Sequence, residues 1–150
     1  ETFPDACIVQ THRDPVDVIA SYCSLISLTW RMNFGRFDPH ELGRFITETF
    51  FDGMQRAMAV RDRLGSDRFF DARFHELVQD QPGMVNRIVD HFDLPRPADF
   101  DQRMDRWLAS DRGDKRGKHV YSAQKYGLDP AAIYERFESA IDRFGVQTRR

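Results

Sequence analysis

Only two stretches of this 150-residue chain read as β-strands, and that scarcity constrains its fold more than any other feature. The first is the apolar run Ala6–Val9, broken by polar residues from Gln10 onward; the second is Arg68-Phe69-Phe70-Asp71-Ala72-Arg73-Phe74. A continuous apolar run suits a strand buried on both faces of a parallel sheet, with neighbours on either side. Sheets average about five or six strands, so a sheet of two would leave such a strand uncovered. The expected class is α/β, a parallel sheet flanked by helices, represented here by a helix-rich C-terminal portion with few strands. The chain opens on Glu1 and not Met, which fits a piece of a longer polypeptide.

Helical signals fill the remainder. Asp14-Pro15 supplies an N-cap and a proline at the first helical position. Val16 to Trp30 then carries two apolar stripes, Ile19/Tyr22/Cys23/Ile26/Trp30 and Val18/Leu25/Leu28, the pattern of a helix buried on most sides. Arg31 to Phe37 reads as a loop. Asp38-Pro39-His40-Glu41 starts a long helix that Gly65 ends, with Leu42, Phe45, Ile46, Phe50, Met54 and Leu64 at helical spacing. After a connection from His75 to Gln81, a helix from Pro82 presents Val85, Ile88, Val89 and Phe92. Another, from about Ala98 to Ala109, is expected to bury Phe100, Met104, Trp107 and Leu108. Ser110 to His119 is a charged loop containing Gly113 and Gly117, and a final helix from Asp129-Pro130 carries Ile133, Phe137, Ala140, Ile141 and Phe144 inward.

Composition excludes several classes. With 41% apolar and 31% charged residues the chain is globular and not disordered, and a net charge of −2 argues against a general nucleic-acid binder. No apolar run approaches a membrane span. Cys7 and Cys23 sit in the strand and helix patterns as small core hydrophobes, and two thiols without a framework suit a reducing, cytoplasmic setting. The only lysines, Lys115, Lys118 and Lys125, fall in one segment.

The first strand hands directly to chemistry. Arg13 follows it, where open α/β sheets place their ligands. Ser21 lies eight residues on, in a helix rising about 9 Å between Pro15 and Ser21. A guanidinium and a hydroxyl so placed can converge on one anion; the plainer alternative is a strand-end salt bridge and a serine bonded back to the carbonyl of Asp17.

Arg13-Asp14-Pro15 with Ser21-Tyr22 resembles the 3′-phosphate-binding segment of sulfotransferases that use 3′-phosphoadenosine 5′-phosphosulfate (PAPS). Two further stretches carry the resemblance. Phe74-His75-Glu76-Leu77, followed by Asp80 and Pro82, is similar to an aromatic-x-acid-Leu stretch whose aromatic lies by the adenine, although Phe74 replaces the usual Tyr and one extra residue precedes Pro82. Arg116-Gly117-Lys118, with His119-Val120-Tyr121-Ser122 and then Tyr126-Gly127-Leu128, resembles the bacterial members' basic loop over the 3′-phosphate. There a glycine permits close backbone approach and the cations give charge-assisted hydrogen bonds, each worth about 1.5–3 kcal/mol.

The resemblance implies a P-loop-type fold of which residues 1–150 form the C-terminal portion of one domain. It implies transfer of a sulfuryl group from PAPS to an acceptor hydroxyl or amine. The cofactor-binding set it implies is Arg13, Ser21, Phe74, Arg116, Gly117 and Lys118, with no metal and with a small-molecule or lipid or glycan acceptor. The family's phosphosulfate loop and its catalytic base belong to the part absent here, and no histidine of this chain takes the base's role. The alternative is a truncated, non-catalytic nucleotide-binding or association module. A P-loop kinase relative would need a Walker-type loop and a Mg²⁺-binding acid, and the sequence offers neither.

Overall fold

The computed structural model describes residues 3, 5–110 and 122–149. Two strands, β1 (Ile8–His12) and β2 (Phe69–Arg73), pair in parallel with Ile8 opposite Phe69 and His12 opposite Arg73. Parallel neighbours need a crossover, here supplied by α1 (Pro15–Phe34) and α2 (Pro39–Leu64). Downstream of β2 come α3 (Phe74–Gln79), α4 (Gln81–His91), α5 (Phe100–Ser110), α6 (Pro130–Arg136) and α7 (Glu138–Phe144). The parallel pair and its helical crossover make the class α/β.

The strand starts later than its apolar run. Gln10, Thr11 and His12 complete β1: Arg61 Nη1 donates to Gln10 Oε1 at 3.0 Å, His12 Nε2 lies 2.7 Å from Asp71 Oδ1, and Thr11 between them is exposed. Nor is the strand buried on both faces, since Ile8 and Val9 are exposed at 37% and 43%. Cys7 is exposed as well, against the core placement expected of it, whereas Cys23 is fully buried and burial pushes its thiol up to about 11.

The core lies where α1, α2 and α6 meet. Ile19, Cys23, Leu42, Ile46, Tyr126, Ile133, Phe137 and Ile141 form one buried cluster. Only one stripe of α1 enters it. Leu25 and Leu28 are about two-thirds exposed (64% and 65%), so the helix is not buried on most sides among the described residues. It also runs past the expected loop start to Phe34, where Gly35 at φ 74 halts it.

The long α2 keeps its predicted bounds, its Asp38 side chain accepting from His40 N–H and Gly65 (φ 84) closing it. The expected connection after β2 is itself the short helix α3, and Met84 joins Val89 as the buried contact of α4. Trp107, expected inward, is 63% exposed. The final helix is two helices broken at Phe137, whose ψ of 6° leaves the helical range while its ring stays buried.

Candidate nucleotide site at the strand ends

Arg13 stands immediately after β1, and Asp14 turns the chain into α1. The Asp14 carboxylate is buried and accepts three hydrogen bonds. Its Oδ1 accepts from Val16 N–H at 2.9 Å, and its Oδ2 accepts from Tyr134 O–H at 2.9 Å and from Arg149 N–H at 3.0 Å. Burial, and then the Asp14 bond and charge, raise the pKa of the Tyr134 hydroxyl. This residue is therefore a structural cap that ties α1 to α6 and to the chain beyond α7.

The Arg13 guanidinium is held on two sides. Its Nη2 lies 3.3 Å from Asp17 Oδ2 one helical turn on, and its Cζ sits 4.6 Å from the Phe74 ring centroid. Phe74 itself begins α3 at the end of β2, the strand beside β1. Both residues line a cavity of about 410 Å³, together with Asp17, His75 and Arg149. A cation–π contact between residues from separate sequence motifs thus forms at the C-terminal ends of two parallel strands.

The other expected site residues are placed differently. Ser21 is half-buried on α1 and is not among the residues lining that cavity. Arg13, Asp17 and Ser21 are nevertheless spaced four residues apart, so helix geometry sets Ser21 one turn below Asp17 on the same face. Arg116, Gly117 and Lys118 lie outside the described residues. The Tyr126-Gly127-Leu128 stretch that follows them is a core anchor: Tyr126 is 1% exposed, and its hydroxyl lies 3.0 Å from Ser27 Oγ, whose own O–H donates to the Cys23 carbonyl at 2.7 Å. Gly127 adopts φ 60, where an added Cβ would meet the His40 ring at 2.9 Å.

The acidic residues of the second motif are structural. Glu76 pairs with Arg73 at 3.0 Å and Arg87 at 3.4 Å, and the Arg73 bond chiefly holds its carboxyl below the ordinary range. Asp80 caps α4 through Gly83 N–H at 2.8 Å.

His12, next to Arg13, is committed to the core. Its ring stacks on Phe144 at 4.2 Å, and Asp71 also takes a two-pronged contact from buried Arg61 at 2.6 and 2.8 Å. Desolvation lowers the His12 pKa despite the Asp71 bond, with Arg61 and Arg73 adding to the lowering. Desolvation acts to raise Asp71, but the bonds from Arg61 and His12 overcome it and the net shift is downward.

Sequence reasoning missed Asp17 and Arg149. The first was findable as the residue four beyond Arg13 on a helix. The second carried no signal, because nothing in the sequence brings the end of the chain to the start of α1.

A parallel strand pair joined by a helical crossover, with arginine and aromatic side chains at its C-terminal ends, defines an α/β architecture, and comparison with known proteins gives it a family. The profile of the sulfotransferase family matches residues 1–98, and the chain belongs to that family. Its fold superposes on sulfotransferase STF9 from Mycobacterium avium with a TM-score of 0.85 at 31% identity, covering 97% of this chain and 38% of that one. Sulfotransferase STF1 from Mycobacterium tuberculosis matches with a TM-score of 0.72 at 32% identity, covering 92% of this chain and 34% of that one. The likeness establishes a P-loop-type sulfotransferase fold. An omega-hydroxy-beta-dihydromenaquinone-9 sulfotransferase of Mycobacterium bovis is 24% identical over 147 residues, which are 97% of this chain and 37% of that protein. The chain thus spans less than two-fifths of the relatives it matches.

Proposed function

We propose that the protein carrying this chain transfers a sulfuryl group from PAPS to an acceptor hydroxyl or amine, and that residues 1–150 form the C-terminal portion of one domain that binds the donor's 3′-phosphoadenosine end. In that reaction the bond from sulfur to the phosphate oxygen breaks, and a bond from sulfur to the acceptor oxygen or nitrogen forms. The acceptor's proton passes to a base outside this chain, and adenosine 3′,5′-bisphosphate departs. Arg13 supplies a charge-assisted donor to the 3′-phosphate, Ser21 a neutral one, and Phe74 an apolar face for the base. Arg116, Gly117 and Lys118, outside the described residues, are the further phosphate contacts that the family resemblance implies. The chain's contribution is to position the donor, without proton transfer.

The observation that carries this reading is the 4.6 Å approach of Arg13 to Phe74 in a shared cavity. Two motifs that the family resemblance joins in function lie together in space. The cavity lining supports the reading through Arg13 and Arg149, whose guanidiniums can donate to phosphate oxygens, and the Phe74 ring, which can pack on a base, with Asp14 and Asp17 beside them.

The acceptor belongs to the class of alcohols or amines, with an apolar body. Two things support the apolar body: the hydroxylated menaquinone in the name of the mycobacterial relatives, and a second cavity of about 160 Å³ beside Arg13, walled by Val18, Phe50, Met54, Ala140 and Phe144. No helix among the described residues is long and apolar enough to cross a membrane.

Equilibrium binding tests the reading. The protein at its natural length is expected to bind adenosine 3′,5′-bisphosphate more tightly than adenosine 5′-phosphate. Equal affinity for the two overturns it.

A further inference from the structure

The chain beyond α7 is built into the cavity wall. Arg73 Nε donates to the Phe144 carbonyl at 2.9 Å, fixing the exit of α7. Gly145 then turns through φ 59, a left-handed conformation that glycine adopts without penalty. Val146 N–H donates to Ile141 O at 3.0 Å, and its side chain packs against the core. Three residues on, the Arg149 N–H reaches Asp14 at 3.0 Å. Residues 147–149 consequently line the same cavity as Arg13 and Phe74.

The Arg149 guanidinium ends 3.1 Å from Asp17 Oδ2, the same oxygen that Arg13 reaches at 3.3 Å. One carboxylate oxygen therefore gathers two guanidiniums from opposite ends of the chain. Asp14, hydrogen-bonded by uncharged N–H and O–H groups, keeps its own charge, so the two guanidiniums and two carboxylates of the cavity balance, and what the arrangement offers an anion is the convergence of two guanidinium forks on one point. Two guanidinium forks side by side match a phosphate, which has more acceptor oxygens than a carboxylate and a higher charge.

We propose that Arg149 is a second phosphate-binding residue of this cavity, acting with Arg13 on the 3′-phosphate of an adenosine nucleotide. Asp17 is a positioning residue that holds both arginines at the cavity wall. The inference rests on the reading that the cavity takes 3′-phosphoadenosine.

Titration calorimetry on the protein at its natural length tests it, with adenosine 3′,5′-bisphosphate and adenosine 5′-phosphate as the two probes. The proteins are wild type, Arg149→Ala, Arg149→Lys, Arg13→Ala and the charge-matched control Arg103→Ala, whose arginine on α5 pairs with Asp99 just before that helix. Arg149→Ala is expected to weaken the bisphosphate by about tenfold or more, with the 5′-phosphate unchanged. Arg149→Lys regains part of the loss, and Arg103→Ala matches wild type. Unchanged thermal unfolding of Arg149→Ala, whose side chain is mostly exposed, separates binding from folding. Wild-type affinity in Arg149→Ala, or equal weakening of both probes, overturns the proposal. If Arg13→Ala erases the preference for the 3′-phosphate while Arg149→Ala keeps it, the proposal fails and the reading beneath it stands. If wild type shows no preference, both fail.

Discussion

The site residues differ in what they do for the fold, and that difference predicts how each responds to change. His12 is the pH-sensitive one. Its folded pKa lies below the ordinary value, so between the two values the unfolded chain binds a proton that the folded chain refuses. Stability from this residue is complete above about pH 6.5 and is lost as pH falls. His12→Asn removes that dependence. Thermal unfolding at pH 7.5 and pH 5.5 is expected to show a smaller drop in the variant than in wild type, and an equal drop contradicts the assignment. Asp71 acts further down. Its lowered carboxyl contributes above its unfolded value of about 3.9 and is lost only in strong acid. The placement of Arg13 and Phe74 at the strand ends was legible in the sequence because local motifs carry it. The burial of His12 was not, since it depends on Phe144 and Asp71, which arrive from distant elements.

At the scale of elements, α2 was readable to the residue because its start and stop are local chemistry: Asp38-Pro39 at one end and Gly65 at the other. The burial of α1 was misread for the opposite reason. Periodicity shows which residues share a face, but not whether another element covers it, and here Leu25 and Leu28 stay exposed. The contact between α2 and the turn at Tyr126 leaves no room for a side chain at Gly43. A Cβ on Gly43 would lie 2.1 Å from the Tyr126 carbonyl oxygen, a backbone atom that cannot rotate away. Gly43→Ala is expected to cost about 1–3 kcal/mol of stability, read by chemical denaturation, and to displace the stretch that follows the basic loop. A variant as stable as wild type shows that the helix and turn are not locked together. Gly53→Ala is the control, because nothing lies within 4 Å of its added Cβ, and helix propensity favours it.

For the whole molecule, the exposed Ile8 and Val9 edge and the two-strand sheet agree with a chain that spans 37% of its curated relatives. The 150 residues by themselves are expected to show no sulfuryl transfer from PAPS, because the donors that would stabilise charge developing on the leaving phosphate lie elsewhere in the family fold. Turnover by the purified chain contradicts that division of labour. The proposed role of this chain is narrower, to hold the 3′-phosphate end of the donor through Arg13. Titration of wild type and Arg13→Ala with adenosine 3′,5′-bisphosphate and adenosine 5′-phosphate closes a four-way cycle. Arg13→Ala is expected to weaken the bisphosphate by about 1.5–3 kcal/mol and to leave the 5′-phosphate unaffected. Equal weakening of both ligands would make Arg13 a structural partner of Asp17 and contradict the account.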